Sequence, residues 1–132
     1  MTYKFDEFQT ADRGSVYEFI ERDNTVKNMV LVVSSQHRCE DNIISILLLG
    51  TKYTGYDCVP IVIDNTTYYA HCGLVTYAKR NRLGRHVLDL PDDVMDRVDT
   101  NIASNLGLKY LTQYKDKYET LLELSQIKEN SI

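Results

Sequence analysis

The densest group of chemistry-bearing side chains is Lys79-Arg80-Asn81-Arg82-Leu83-Gly84-Arg85-His86, in which four of eight residues are lysine or arginine. In a chain of net charge −4 such a cluster is suited to tracking a phosphate backbone. A solvated hairpin end is the plain alternative. Histidine exchanges a proton near neutral pH. His37, beside Arg38 in a polar stretch, could reach a phosphate or simply sit in solvent, whereas His71 and His86 fall in strand-like sequence and read as partly buried. Tyr53, Tyr56 and Tyr77 offer faces on which unpaired bases could stack, although most of the ten tyrosines are expected to be half-buried. Cys39, Cys58 and Cys72 are odd in number and irregularly spaced. They fit no zinc pattern and read as buried free thiols in a reducing compartment.

These groups must be held by a small scaffold. A chain of 132 residues with 43% hydrophobic and 26% charged residues is expected to form one globular domain with a real core. The mild negative charge argues against non-specific nucleic-acid binding. The N-terminal MTYKFDEFQT has no apolar run before a cleavage site, so no signal peptide and a cytoplasmic location are expected. The longest apolar stretch, Ile43–Leu49, has strand length, far short of the ~20 residues of a membrane span.

The pattern predicts short strands over Arg13–Ile20, Val26–Ser34, Ile43–Leu49, Asp57–Ile63, Thr66–Ala70, Cys72–Tyr77 and Arg85–Leu90, with Ile43–Leu49 covered on both faces. Pro60 places its strand at an edge or a bulge, Asp64-Asn65 is a turn signal, and Ala78–Gly84 reads as a basic loop. Pro91 stops the last strand and opens a helix whose first turn carries Asp92 and Asp93. Val94, Val98, Ile102 and Leu106 form its apolar stripe, widened by Met95 and Ala103, and Gly107 is placed as its left-handed stop. A second, less regular helical stripe runs through Lys109–Lys128. The class is mainly β with helices: a small, strongly bent sheet or barrel closed by a C-terminal helix, with a further C-terminal helical extension.

Several stretches resemble the MazF/PemK toxin family. Arg13-Gly14-Ser15-Val16-Tyr17 resembles its opening strand. Val26-Lys27-Asn28-Met29-Val30-Leu31-Val32 resembles the next, where the family has arginine and proline. Asn42–Thr51 resembles its long apolar strand ending near a hydroxyl. Leu83–Leu108, the most specific match, resembles its last strand, acidic helix start and L-G-L ending. The resemblance covers about residues 13–108, leaving an arm at 1–12 and an extension at 109–132. It implies an SH3-like barrel of the MazF/PemK/CcdB type, acting as a homodimer.

The resemblance further implies an endoribonuclease that cuts single-stranded RNA at a short motif without metal or other cofactor. The products would be a 2′,3′-cyclic phosphate and a 5′-hydroxyl, and a cognate antitoxin peptide would inhibit it. Lys27 would supply the phosphate cation and Thr51 the phosphate-touching hydroxyl. Arg13, His37, Arg38, Lys79, Arg80, Arg82 and Arg85 would bind RNA, although Arg13 also reads as a structural ion-pair residue. The departures are specific. Lys27 stands where the family has arginine, which keeps the charge and loses the bidentate fork. Asn28 replaces the proline, Thr76 replaces an acidic residue some members carry, and the loop between the first two strands is shorter. These departures support an alternative: a non-catalytic relative that acts by binding protein, as the gyrase-directed CcdB does.

Overall fold

A computed structural model describes residues 10–55 and 57–107. Six strands, β1 (Ser15–Ile20), β2 (Val26–Val32), β3 (Ile43–Gly50), β4 (Cys58–Ile63), β5 (Thr66–Lys79) and β6 (Leu83–Asp89), precede one helix, α1 (Asp92–Asn105). They form a single antiparallel sheet in the order β4-β5-β3-β2-β1-β6, curled into a half-barrel. No described helix is long and apolar enough to cross a membrane.

Local chemistry explains the hairpins. Asp64 and Asn65 both hold positive φ, 50° and 64°, the two-residue turn whose twist matches flanking strands. β4 lies at an edge of the sheet, where Pro60 is exposed and costs no ladder hydrogen bond. α1 ends as Gly107 takes φ 73° and returns its amide to the Ser104 carbonyl.

Alternation in the central strands serves two cores at once. Val16, Leu31, Leu47 and Leu49 point to the side covered by α1, where they meet Val59, Met95 and Val98. Tyr17, Val30, Val32, Ile44 and Ile46 point into the curl, where Ala78 and Leu83 close against them and Ala11 and Cys39 fill the end. Coverage on both faces of β3 therefore holds at its centre, while Ile43 and Leu48 at its flanks are exposed.

Three expectations are corrected. The two strands foreseen at Thr66–Ala70 and Cys72–Tyr77 are one continuous strand. It bends because the register passes from Leu47↔Val75 to Leu49↔Ala70, setting His71 to Leu74 against Leu48 alone. Gly73 lies in that bend, where a Cβ would come within 2.8 Å of Asp57 Oδ2. The basic loop at Ala78–Gly84 shrinks to one 3₁₀ turn, Arg80–Arg82, because Lys79 ends β5 and Leu83 already begins β6. Within the helical stripe Met95 and Val98 are buried, whereas Leu106 is exposed past the last sheet neighbour. The expected arm (apart from residues 10–12) and the helical extension lie outside the described residues.

Candidate functional site

Register brings the first two candidates together. β2 and β3 pair as Met29↔Leu49, Val30↔Leu48 and Leu31↔Leu47. Continuing that register by two residues sets Lys27 across from Thr51, where β3 has turned out of the sheet. Both line one open cleft with Glu18, Asn28, Met29 and Tyr68. Met29 and Leu49 give the cleft an apolar floor continuous with the core under α1.

Glu18 is the residue that sequence reasoning missed. It shares the face of Val16 on β1 by alternation and is mostly buried, at 16% side-chain exposure. Its Oε1 receives Arg85 Nε and Nη2, each at 2.8 Å. The bond ties Arg85 of β6 to Glu18, which lines the cleft that Lys27 and Thr51 share. The signal was present in the sequence: one carboxylate inside the apolar run Ser15–Ile20.

A second depression adjoins the first, and Lys27 and Asn28 belong to both. Lys79, Arg82, Tyr77 and Glu21 complete it. Arg82 Nη1 donates to the Glu21 carbonyl at 3.1 Å, and Asn28 Nδ2 donates to Glu21 Oε1 at 2.8 Å. Tyr77 is 74% exposed, so its ring is presented to solvent beside these cations. Tyr53 is also exposed and meets Tyr69 edge-on at 5.7 Å, while Tyr56 lies outside the described residues.

Lys27 Nζ sits 3.2 Å from Asp23 Oδ2, in an exposed pair. The Thr25 hydroxyl, then the Thr25 amide and Lys27, hold the Asp23 carboxyl down to about 2. Asp23 is therefore an anion throughout the physiological range, and an incoming phosphate must compete with it for the lysine.

Other candidates lie elsewhere. Arg13 sits at the opposite end of β2, where its Nη1 donates to the Val33 carbonyl at 2.5 Å and its Nη2 binds both Asp99 oxygens. Six residues of strand separate Val33 from Lys27, roughly 20 Å. Arg13 links the end of β2 to α1 and lies away from the Lys27 cleft. His37 and Arg38 lie in the 3₁₀ turn Gln36–Arg38 at that same end, tied to Arg13 through Gln36 Oε1. Arg38 pairs with Asp41 at 3.5 Å. Arg80 donates to the Glu40 carbonyl at 2.7 Å and closes the loop before β3. Lys27, Thr51, Lys79 and Arg82 thus gather on the two adjoining depressions, Arg85 is tied to the first through Glu18, and Arg13, His37, Arg38 and Arg80 lie apart from both.

Among the described residues, no group of three or more His, Cys, Asp or Glu side chains converges as a metal site. Cys39, Cys58 and Cys72 are free and buried. His71 is partly buried, as its sequence context implied, whereas His86, read the same way, is exposed and holds Asp89 Oδ1 at 2.7 Å. The Ser15 hydroxyl, then His86, lowers the Asp89 carboxyl.

No protein-family model matches the chain, and no curated protein matches it. Solved structures do. A mycobacterial endoribonuclease in complex with its cognate antitoxin superposes with TM-score 0.62 at 19% identity, over 76% of this chain and 96% of that one. MazE-MazF from Deinococcus radiodurans gives TM-score 0.63 at 17% identity, over 74% and 96%. The Mycobacterium tuberculosis toxin MazF-mt6 gives 0.61 at 14%, over 70% and 96%. At these identities the likeness is one of fold, and the fold of this chain is MazF-like.

Proposed function

We propose that this chain is a toxin-type endoribonuclease that cuts single-stranded RNA without a metal ion. The observation that carries the reading is the cleft in which a cation, Lys27, a hydroxyl, Thr51, and a carboxylate, Glu18, with Arg85 bound to it, converge on a MazF-like fold. Cleavage by the neighbouring 2′-hydroxyl needs a proton acceptor, a donor for the leaving oxygen, and positive charge around phosphorus. Lys27 and Arg85 supply the charge, and the Thr51 hydroxyl donates to a non-bridging oxygen. Glu18 is the carboxylate in the cleft and takes the 2′ proton. The 2′ oxygen bonds to phosphorus as the 5′ oxygen leaves and takes a proton from solvent in the open cleft, giving a 2′,3′-cyclic phosphate and a 5′-hydroxyl. Arg85 restores a guanidinium to a cleft whose strand position 27 holds lysine.

In this reading the strand continues past Lys27 into the depression of Lys79 and Arg82, where Tyr77 can stack a base. The protein acts in the cytoplasm as a homodimer, and a cognate antitoxin peptide inhibits it; the mycobacterial neighbour of like fold is in complex with its cognate antitoxin.

The test is incubation with a long single-stranded RNA in EDTA, with the ends mapped by primer extension. Discrete cuts at one short motif are expected. Lys27→Ala should lower the rate at least about 100-fold and leave the melting temperature within about 2 °C, because the side chain is 65% exposed. Intact RNA in the presence of folded protein would refute cleavage.

A second reading is a non-catalytic protein binder. One observation favours it: Lys27 and Arg85 are each already paired with a carboxylate, Asp23 and Glu18. Steep weakening of RNA binding with added salt supports the first reading; salt-insensitive binding to a protein target supports the second.

A further inference from the structure

The three thiols sit in different chemical surroundings, a contrast the RNA-cutting reading leaves unused. Cys39 points at the Ser34 and Ser35 carbonyls, at 3.7 and 3.6 Å, and Cys72 at the Ala70 carbonyl, at 3.6 Å. Carbonyls accept from S–H and stabilise the protonated thiol. Burial raises both groups further, Cys72 to about 11.

Cys58 is surrounded by donors instead. The Thr54 amide N–H donates to its sulfur at 3.4 Å, the Thr54 hydroxyl lies at 3.1 Å, and His71 Nδ1 lies at 3.4 Å. Thr54 Oγ1 and His71 Nδ1 are 3.2 Å apart, so the three groups form a closed triangle. Amide and hydroxyl donors favour a thiolate, and an imidazole one hydrogen bond away can take the proton. Cys58 is also the least buried of the three residues, 7% exposed against 1% for Cys39 and 1% for Cys72. The pairing of β4 with β5 in the register Cys58↔His71 builds the triangle, and the loop Thr51–Asp57 brings Thr54 back onto it.

We propose that Cys58 is a reactive thiol, activated by His71 and Thr54 and oxidised by hydrogen peroxide to a sulfenic acid. The Cys58 proton passes to His71 and the sulfur attacks one peroxide oxygen. An S–O bond forms as the O–O bond breaks, and the departing hydroxide takes the proton from the imidazolium to leave as water. Sulfur loses two electrons and peroxide gains them. The site borders the cleft: His71 Nε2 lies 2.8 Å from where a Cβ on Gly50 would stand, and Gly50 and Thr51 line the cleft.

The test treats the folded full chain with hydrogen peroxide and dimedone at pH 7 and reads each cysteine by peptide mass spectrometry. An ordinary thiol is roughly 3% ionised there. A thiol that passes its proton to a neighbouring base gains about threefold over this, because the gain in thiolate and the lower nucleophilicity of a more acidic thiol largely cancel. Cys58 should label at least about threefold faster than Cys39 or Cys72, and His71→Ala should slow it by about that factor. Equal rates at the three cysteines, or an unchanged Cys58 rate in a folded His71→Ala, overturn the proposal. If His71→Ala does not fold, Thr54→Val in the same assay decides. A Cys58 rate at least about threefold slower supports the proposal, and an unchanged rate overturns it. RNA cleavage enters neither readout.

Discussion

Replacing Arg13 with alanine separates a structural role from a nucleic-acid role at a residue whose sequence context allowed either. Its guanidinium joins the end of β2 to α1 by way of the Val33 carbonyl and the Asp99 carboxylate. The bond to Val33 is charge-assisted, and the Arg13 side chain is 30% exposed, so about 1.5 kcal/mol is lost with it. Asp99 is 43% exposed, and solvent screening reduces the ion pair to about 0.5 kcal/mol. The total is about 2 kcal/mol, and at about 4 °C per kcal/mol for a chain of this size the melting temperature should fall by about 8 °C. Asp99→Asn alone should cost less, because the Val33 bond survives, and a double-mutant cycle should return a coupling of about 0.5 kcal/mol. Thermal melts followed by circular dichroism measure all three variants. RNA affinity, measured below the transition, should stay within twofold of the unsubstituted chain. A melting temperature within 2 °C of the original together with a tenfold loss of RNA affinity would refute the clamp.

Two further outcomes follow from the core and from the turn beside Lys27. Val98 is fully buried between α1 and the sheet, so Val98→Ala should cost about 2 kcal/mol through lost contacts and a residual cavity, read from urea unfolding at constant m. Asp23 is held down to about 2 chiefly by the Thr25 hydroxyl. A carboxyl lowered on folding adds stability above its unfolded value, near 3.8, and loses it as pH falls toward 2. Carboxyl NMR titration of Thr25→Ala should show Asp23 rising toward 3.8, and an unmoved titration would discard Thr25 as the cause.

Much of the frame was legible in local chemistry. Asp64-Asn65 and Pro91 are strong punctuation, and α1 carries its own start and stop signals in Asp92, Asp93 and Gly107. The bend of β5 was not legible: His71 to Leu74 read as a break between strands, because a bulge that accommodates four residues against one depends on the register of Leu47 and Leu49 in another strand. Of the site, Lys27 and Thr51 were named from resemblance, and the β2–β3 register brings them together. Glu18 escaped because a carboxylate in an apolar strand declares its role only when Arg85, 67 residues later, folds back against it. Arg13 and Arg80 show the converse. A basic residue in sequence is only a charge, and the carbonyls and carboxylates it meets in space decide what it does.

The bent strand also bears on how the molecule comes apart. β5 contributes Ala70 and Cys72 to the layer under α1 and Ala78 to the interior of the curl, and β1, β2 and β3 are likewise divided by alternation. Neither hydrophobic layer owns a strand set of its own. Opening one exposes the reverse side of strands that hold the other, so the described residues form one cooperative foldon rather than two. Slow amide exchange under α1 and inside the curl then reports the same opening event, and a cut in the bend at Gly73 disconnects both layers in a single step.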